Sequence, residues 1–120
     1  MAAKLIDLSF TLNGRKVKVQ IAPDTMLFAL LRERGCASVR CACETTNCGL
    51  CTVWLDGDPV LSCSVPAVRV EGHTITTLEG LKTESEALAR AMAAEGAEQC
   101  GFCAPGLIMN VLALARAAKE

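Results

Sequence analysis

The sequence predicts an α+β fold, a mixed sheet crossed by one helix and then a segment of helices alone. Three observations carry this. Two alternating stretches are joined by Asn13-Gly14, a second pair of strand-like stretches flanks the DGDP at 56–59, and strand patterning stops at Glu79, where alanine takes over. A chain of 120 residues suits one domain or two small ones packed closely, and buries on the order of 65% of the surface its unfolded form exposes.

Each element has a local reason. Residues 4–12, KLIDLSFTL, alternate roughly, and RKVKVQI places Val17, Val19 and Ile21 on one face. Asn-Gly between two such runs is the signal for a type I′ hairpin. Ala22-Pro23 ends the second strand, and Asp24 is placed to N-cap a helix over TMLFALLRER, with Leu27, Leu30 and Leu31 inward and Gly35 as its stop. Thr52–Leu55 and Val60–Ser64 form a second hairpin around DGDP, and a short strand is expected at His73–Thr77. Two hairpins with a helix between them and a late strand describe a β-grasp arrangement. Beyond it, Thr83-Glu84-Ser85-Glu86 fits a capping box, so a helix is expected from about Glu84 to Glu95 with Leu88 and Met92 inward and Gly96 ending it. A last helix should start near Pro105 and run through GLIMNVLALARAA. It is apolar over most of its circumference, which calls for cover on more than one side.

Composition excludes several classes of function. The net charge is −1, apolar residues make up 52% of the chain and aromatic ones 3%, with no Tyr and one Trp. Aliphatic side chains must therefore fill the core, and neither a basic stripe nor stacking platforms suggest nucleic acid. The opening MAAKLIDLSF has no apolar run of signal-peptide length, and nowhere do 18 apolar residues run together, so no membrane insertion is expected and the chain reads as cytoplasmic. In reducing cytosol the eight cysteines point to metal or redox chemistry rather than disulfides.

Four of the eight lie within CACETTNCGLC, residues 41–51. Cys43, Cys48 and Cys51 stand as C-x4-C-x2-C, the spacing of plant-type 2Fe-2S ferredoxins, whose fourth ligand lies further along the chain. Cys63 is the next thiol, in a strand able to fold back beside Cys51. Two sulfide-bridged irons need four thiolates, and a loop can offer three while its N–H groups face the sulfurs. Gly49 permits close backbone approach, and Asn47 tolerates the positive φ such a wrap requires.

The segment RCACETTNCGLCTVWLDGDPVLSC resembles the first cluster motif of the iron–sulfur subunit of molybdenum hydroxylases, the xanthine dehydrogenase family, with ligand offsets matching at all four positions. EGAEQCGFCAPGLIMN is similar to that family's second motif, and TTLEGL to the segment between them. The resemblance covers nearly the whole chain. It implies a ferredoxin-like β-grasp domain over residues 1–78 and an incomplete helical 2Fe-2S domain over 79–120, part of a four-helix bundle. It implies that Cys43, Cys48, Cys51 and Cys63 bind one cluster, that Cys100 and Cys103 supply half the ligands of a second, and that Gln99 lies near the molybdopterin. A C-x-C pair expected further on falls beyond Glu120, so the sequence reads as truncated. The family normally has glycine where this chain has Ala42 and Thr46.

By the same resemblance the chain carries electrons within an oxidoreductase of the purine or aromatic heterocycle hydroxylase type, and does no substrate chemistry itself. Electrons enter from a molybdenum cofactor on a large partner subunit and leave towards FAD, expected on another subunit, or towards another acceptor. Three other readings compete with this one. A local set using Cys41 in place of Cys63 is disfavoured on the ground that side chains alternate along extended chain. A zinc site from Cys48, Cys51, Cys100 and Cys103 leaves Cys43 and Cys63 unexplained. A thioredoxin-like dithiol at Cys100-Gly101-Phe102-Cys103 should follow a βαβ strand, but here it follows an Ala-rich helix. Cys36 reads as a buried apolar residue, His73 as a surface strand residue, and Asp56 and Asp58 as turn residues.

Overall fold

The computed structural model describes residues 4–119, so the first three residues of the opening segment read above for a signal peptide lie outside it. Five strands form one mixed sheet: β1 (Ile6–Leu12), β2 (Arg15–Ile21), β3 (Thr52–Leu55), β4 (Asp58–Leu61) and β5 (Thr74–Thr76). Their order is β2-β1-β5-β3-β4, with β1 and β5 parallel and the other pairs antiparallel. The helix α1 (Leu27–Glu33) packs on one face, and α2 (Lys82–Ala94) and α3 (Ala104–Ala118) follow the sheet in the chain. This is the expected α+β, β-grasp architecture with a helical segment after it.

Both hairpins turn through two residues of positive φ, Asn13 at 51° with Gly14 at 83°, and Asp56 at 50° with Gly57 at 90°. That is type I′ geometry, whose twist matches the strands it joins. The second hairpin is tighter than the sequence suggests: β4 begins at Asp58 and includes Pro59, tolerated because β4 is the sheet edge. It ends at Leu61. Cys63 therefore sits in a 3-10 turn over Ser62–Ser64 and not in a strand.

The main core sets Leu8, Phe10, Leu12, Val17 and Ile21 of the first hairpin against Leu27, Leu30 and Leu31 of α1, with Val53 and Ile75 from the inner strands. Leu27 and Leu31 are fully buried, each contributing about 1.5–3 kcal/mol. Trp54 points to the opposite face from Val53. There it packs with Leu81, Met109 and Ala113, and its Nε1 donates to the Met109 carbonyl at 3.1 Å. That contact docks α3 on the sheet.

Two caps differ from expectation. Asp24 does not cap α1, which starts at Leu27 with Met26 as N-cap. The chain before the helix pairs instead with residues 65–67, Leu27 N–H donating to the Val65 carbonyl (2.8 Å) and Ala67 N–H to the Thr25 carbonyl (2.9 Å). The Thr83 capping box is also absent. A 3-10 turn at Leu78–Gly80 feeds directly into α2, which starts at Lys82, leaving Thr83 already inside the helix. The C-terminal signals hold. Gly35 (φ 88°) follows α1 and Gly96 (φ 64°) follows α2, where Ala97 N–H donates to the Met92 carbonyl and Gly96 N–H to that of Ala93. This is a Schellman closure.

Candidate metal centre

The cysteine loop is fixed at both ends before any thiol is considered. Cys36 ends α1 with its N–H on the Leu31 carbonyl, and Arg32 Nη1 donates to the carbonyls of Ala37 (3.0 Å) and Val39 (3.1 Å). Ser38 gives both its N–H and its hydroxyl to the Glu79 carboxylate, which also accepts from Thr77 Oγ1. At the far end Thr52 Oγ1 donates to the Gly49 carbonyl at 2.7 Å and accepts from Asn110 Nδ2 at 3.1 Å. Cys36 itself is buried, and burial pushes its thiol pKa up, as suits a packing residue.

Within this frame the backbone turns its N–H groups onto sulfur. Cys48 N–H donates to Cys43 Sγ at 3.3 Å and Leu50 N–H to Cys48 Sγ at 3.4 Å. The N–H groups of Thr45, Cys48 and Asn47, aided by the Cys48 thiol, lower the Cys43 thiol to a pKa of about 6. Much of Cys43 is thus a thiolate at neutral pH, the form that binds metal. Cys51 is buried, which raises its pKa, while the Cys63 backbone N–H acts in the opposite sense. Cys63 follows in the adjoining turn, packed on the core that contains Cys51, and Ser62 N–H donates to the Cys51 carbonyl at 3.3 Å. Cys43 and Cys48 thus converge within the loop, while Cys51 and Cys63 share the adjoining core.

Two details correct the sequence reading. Positive φ falls on Thr46 (59°) and Gly49 (73°), not on Asn47. And Cys41 is not turned away: the sulfurs of Cys41, Cys43 and Cys48 lie within 4.8 Å of one another. Residues two apart in extended chain share a side, so alternation places Cys41 with Cys43 and gives no ground for excluding it. The Cys41 thiol donates to the Cys43 carbonyl at 2.8 Å.

Cys100 and Cys103 are exposed, in the loop between α2 and α3, and Cys103 is the α3 N-cap. Gln99 is exposed beside them. Among the described residues, the only group of three or more His, Cys, Asp or Glu converging this closely is Cys41, Cys43 and Cys48, so the zinc set of Cys48, Cys51, Cys100 and Cys103 is not assembled. His73 is exposed, with Nδ1 2.5 Å from Asp56 Oδ2, and Asp56 also accepts from the Thr74 N–H. Sequence reasoning missed Arg40, Gly106 and Asn110, which join α3 and its preceding loop to the cysteine loop. The one available signal was a polar Asn110 within the apolar run GLIMNVLALA.

The donor chemistry suits an iron–sulfur group: soft thiolates, with backbone N–H groups on the Cys43 and Cys48 sulfurs. Comparison with known proteins agrees. Residues 10–75 match the family model of the 2Fe-2S iron-sulfur cluster binding domain, and residues 77–120 that of a 2Fe-2S binding domain. The chain is 40% identical over 120 residues to the xanthine dehydrogenase iron-sulfur-binding subunit of Escherichia coli O157:H7, covering 98% of this chain and 76% of that one. It is 38% identical over 112 residues to the nicotinate dehydrogenase small FeS subunit of Eubacterium barkeri, covering 91% and 71%. Among solved structures, quinoline 2-oxidoreductase from Pseudomonas putida 86 superposes with a TM-score of 0.76 at 34% identity, over 89% of this chain and 68% of that one. The aldehyde oxidoreductase of Desulfovibrio gigas gives 0.83 at 34% identity, over 93% of this chain and 13% of that one.

Proposed function

The chain belongs to the iron–sulfur subunits of the molybdenum hydroxylases, the xanthine dehydrogenase family, and from that premise we propose that Cys43, Cys48, Cys51 and Cys63 hold one 2Fe-2S cluster. It is the electron-transfer subunit of an oxidoreductase that works with a molybdenum-cofactor large subunit. What supports the ligand assignment is the C-x4-C-x2-C spacing, with backbone N–H groups on the Cys43 and Cys48 sulfurs and Cys63 packed on the core that holds Cys51, since two irons take four protein thiolates.

A bound 2Fe-2S cluster accepts and releases single electrons. The chain's part is to hold and tune it. The Cys48 and Leu50 N–H groups face sulfur and favour the more negative reduced state. Buried Cys51, with Val39 and Leu27 in the same core, keeps water from one side. Residues 1–78 form the unit for this cluster. Residues 79–120 form a second unit whose Cys100 and Cys103 contribute to another 2Fe-2S centre, with Gln99 towards the molybdopterin. With the groups bound, Cys43, Cys48, Cys51 and Cys63 would hold one centre and Cys100 and Cys103 part of the other, and the chain would carry electrons from a molybdenum subunit towards FAD on a further subunit, in the cytoplasm. The resemblance of both cysteine motifs supports this order, and the placement of Cys103 at the start of α3 is compatible with it.

One observation favours a second reading, the closeness of Cys41 to Cys43 and Cys48. Single Cys→Ser variants decide between them by iron and sulfide counting with EPR of the reduced chain. Cys63→Ser is expected to lose the first cluster and Cys41→Ser to keep it. The reverse result assigns Cys41 as a ligand.

A further inference from the structure

Arg40 touches both thiol-bearing loops. Its backbone N–H donates to the Leu50 carbonyl at 3.2 Å, inside the turn between Cys48 and Cys51. Its Nη1 donates to the carbonyls of Gly101 (3.0 Å) and Phe102 (2.9 Å), the two residues between Cys100 and Cys103. The guanidinium also lies over the Phe102 ring, 5.2 Å from its centroid. Charge-assisted bonds are the stronger kind, and a cation over an aromatic face adds to them. Among the described residues, these two side-chain bonds are the hydrogen bonds that reach residues 98–102 from elsewhere in the fold. The loop they hold is otherwise largely exposed and without regular structure.

We infer that Arg40 is a positioning residue that clamps the Cys100–Cys103 loop onto the Cys43–Cys51 loop and so fixes the separation of the two thiol sets. Its purpose rests on the reading that both sets hold clusters, because the rate of electron passage between two centres depends on how far apart they are held. Neighbouring contacts set the other side of the same junction. A Cβ on Gly106 would lie 2.9 Å from Leu50 Cα and 3.0 Å from the Gly49 carbonyl oxygen, so α3 is pressed on the cysteine loop one turn after Cys103.

Hydrogen–deuterium exchange and thiol alkylation of the full chain test the clamp. Arg40→Met is expected to raise alkylation of Cys100 and Cys103 about tenfold and to speed exchange of the Leu107 N–H, which donates to the Cys103 carbonyl, leaving the β1 and β3 amides unchanged. Arg40→Lys, which keeps a cationic donor, should restore most of the protection. Separation has its own readout. A nitroxide on Cys103, in a Cys41→Ser, Cys100→Ser background, is relaxed by the reduced first cluster, and its distance distribution should broaden in Arg40→Met and narrow again in Arg40→Lys. Unchanged alkylation of Cys100 and Cys103 and unchanged exchange at Leu107 in Arg40→Met overturn the clamp. So does a rise spread evenly over the chain, which would make Arg40 a general stability residue. If the unsubstituted chain binds no iron, the cluster reading fails, yet exchange and alkylation still decide the clamp.

Discussion

Thr46 is the residue where local preference and site geometry conflict most plainly. It adopts φ 59° in the middle of the Cys43–Cys48 wrap, a region costing a non-glycine residue about 1–2 kcal/mol, most of all a β-branched one. By propensity the sequence points to Asn47 as the left-handed position. The wrap instead needs the turn one residue earlier, so that the N–H groups of Thr45, Asn47 and Cys48 all serve the Cys43 sulfur. Glycine carries no such strain, though its greater freedom when unfolded offsets part of the gain. Thr46→Gly is therefore expected to stabilise the chain by up to about 1 kcal/mol, read as a higher urea midpoint at unchanged slope. Glu79 gives a pH-dependent case. Partial burial raises its pKa, but the hydroxyl and N–H of Ser38, its own N–H and Thr77 Oγ1 outweigh this and leave it lowered. The unfolded chain then binds more protons, so the stabilisation is present in full above the unfolded value of about 4.3 and is lost as pH falls through the folded one. Glu79→Gln should cost about 1 kcal/mol near neutrality, at the low end because the carboxylate is partly in solvent, and the gap should close below about pH 4.3 in urea titrations.

At the scale of elements, strands and turns were legible because their causes are local. Asn-Gly and Asp-Gly supply two consecutive positive φ values, and alternation sets the buried face of β1 and β2. The start of α3 was legible too, with Pro105 in its first turn, but those of α1 and α2 were not, since tertiary pairing at residues 65–67 took over the N-terminus of α1 and a 3-10 turn displaced that of α2. Gly106 shows the same limit. Within a helix it reads as a weak position, about 1 kcal/mol worse than alanine. In the fold it lets α3 meet the Gly49–Leu50 backbone, where an added Cβ would fall 2.9 Å from Leu50 Cα. Backbone cannot yield as a side-chain tip can, so α3 must shift. Gly106→Ala should then destabilise by a net 1–2 kcal/mol or so despite the gain in helix propensity. Urea unfolding followed by Trp54 fluorescence checks this, because Trp54 anchors on the Met109 carbonyl of the same helix.

For the whole molecule, the cysteine spacing marked a candidate cluster loop, since thiolate number and offset are demanded by the chemistry. The junction between the two parts was largely hidden, because Arg40, Trp54 and Asn110 bond across 55 or more residues of sequence to the Phe102 loop, Met109 and Thr52, Gly106 meets Leu50, and only Asn110, polar within an apolar run, carries a local mark. That junction makes one body of two thiol-bearing loops, and it bears on what the chain can do alone. Asp56, the best-placed carboxylate outside the cysteine loop, is committed to Thr74 N–H and His73 on an exposed hairpin, with its pKa lowered first by that N–H. A general base needs a pKa raised towards neutrality and a substrate held beside it. Asp56 has the opposite shift and lies in an open turn. The isolated, iron-loaded chain is therefore expected to bleach with dithionite and recover its visible absorption on reoxidation, cycle after cycle, while converting no purine or aromatic heterocycle. Product formation by this chain without its molybdenum partner, followed by chromatography of the reaction mixture, would place bond-making chemistry in the chain itself and overturn its role as an electron conduit.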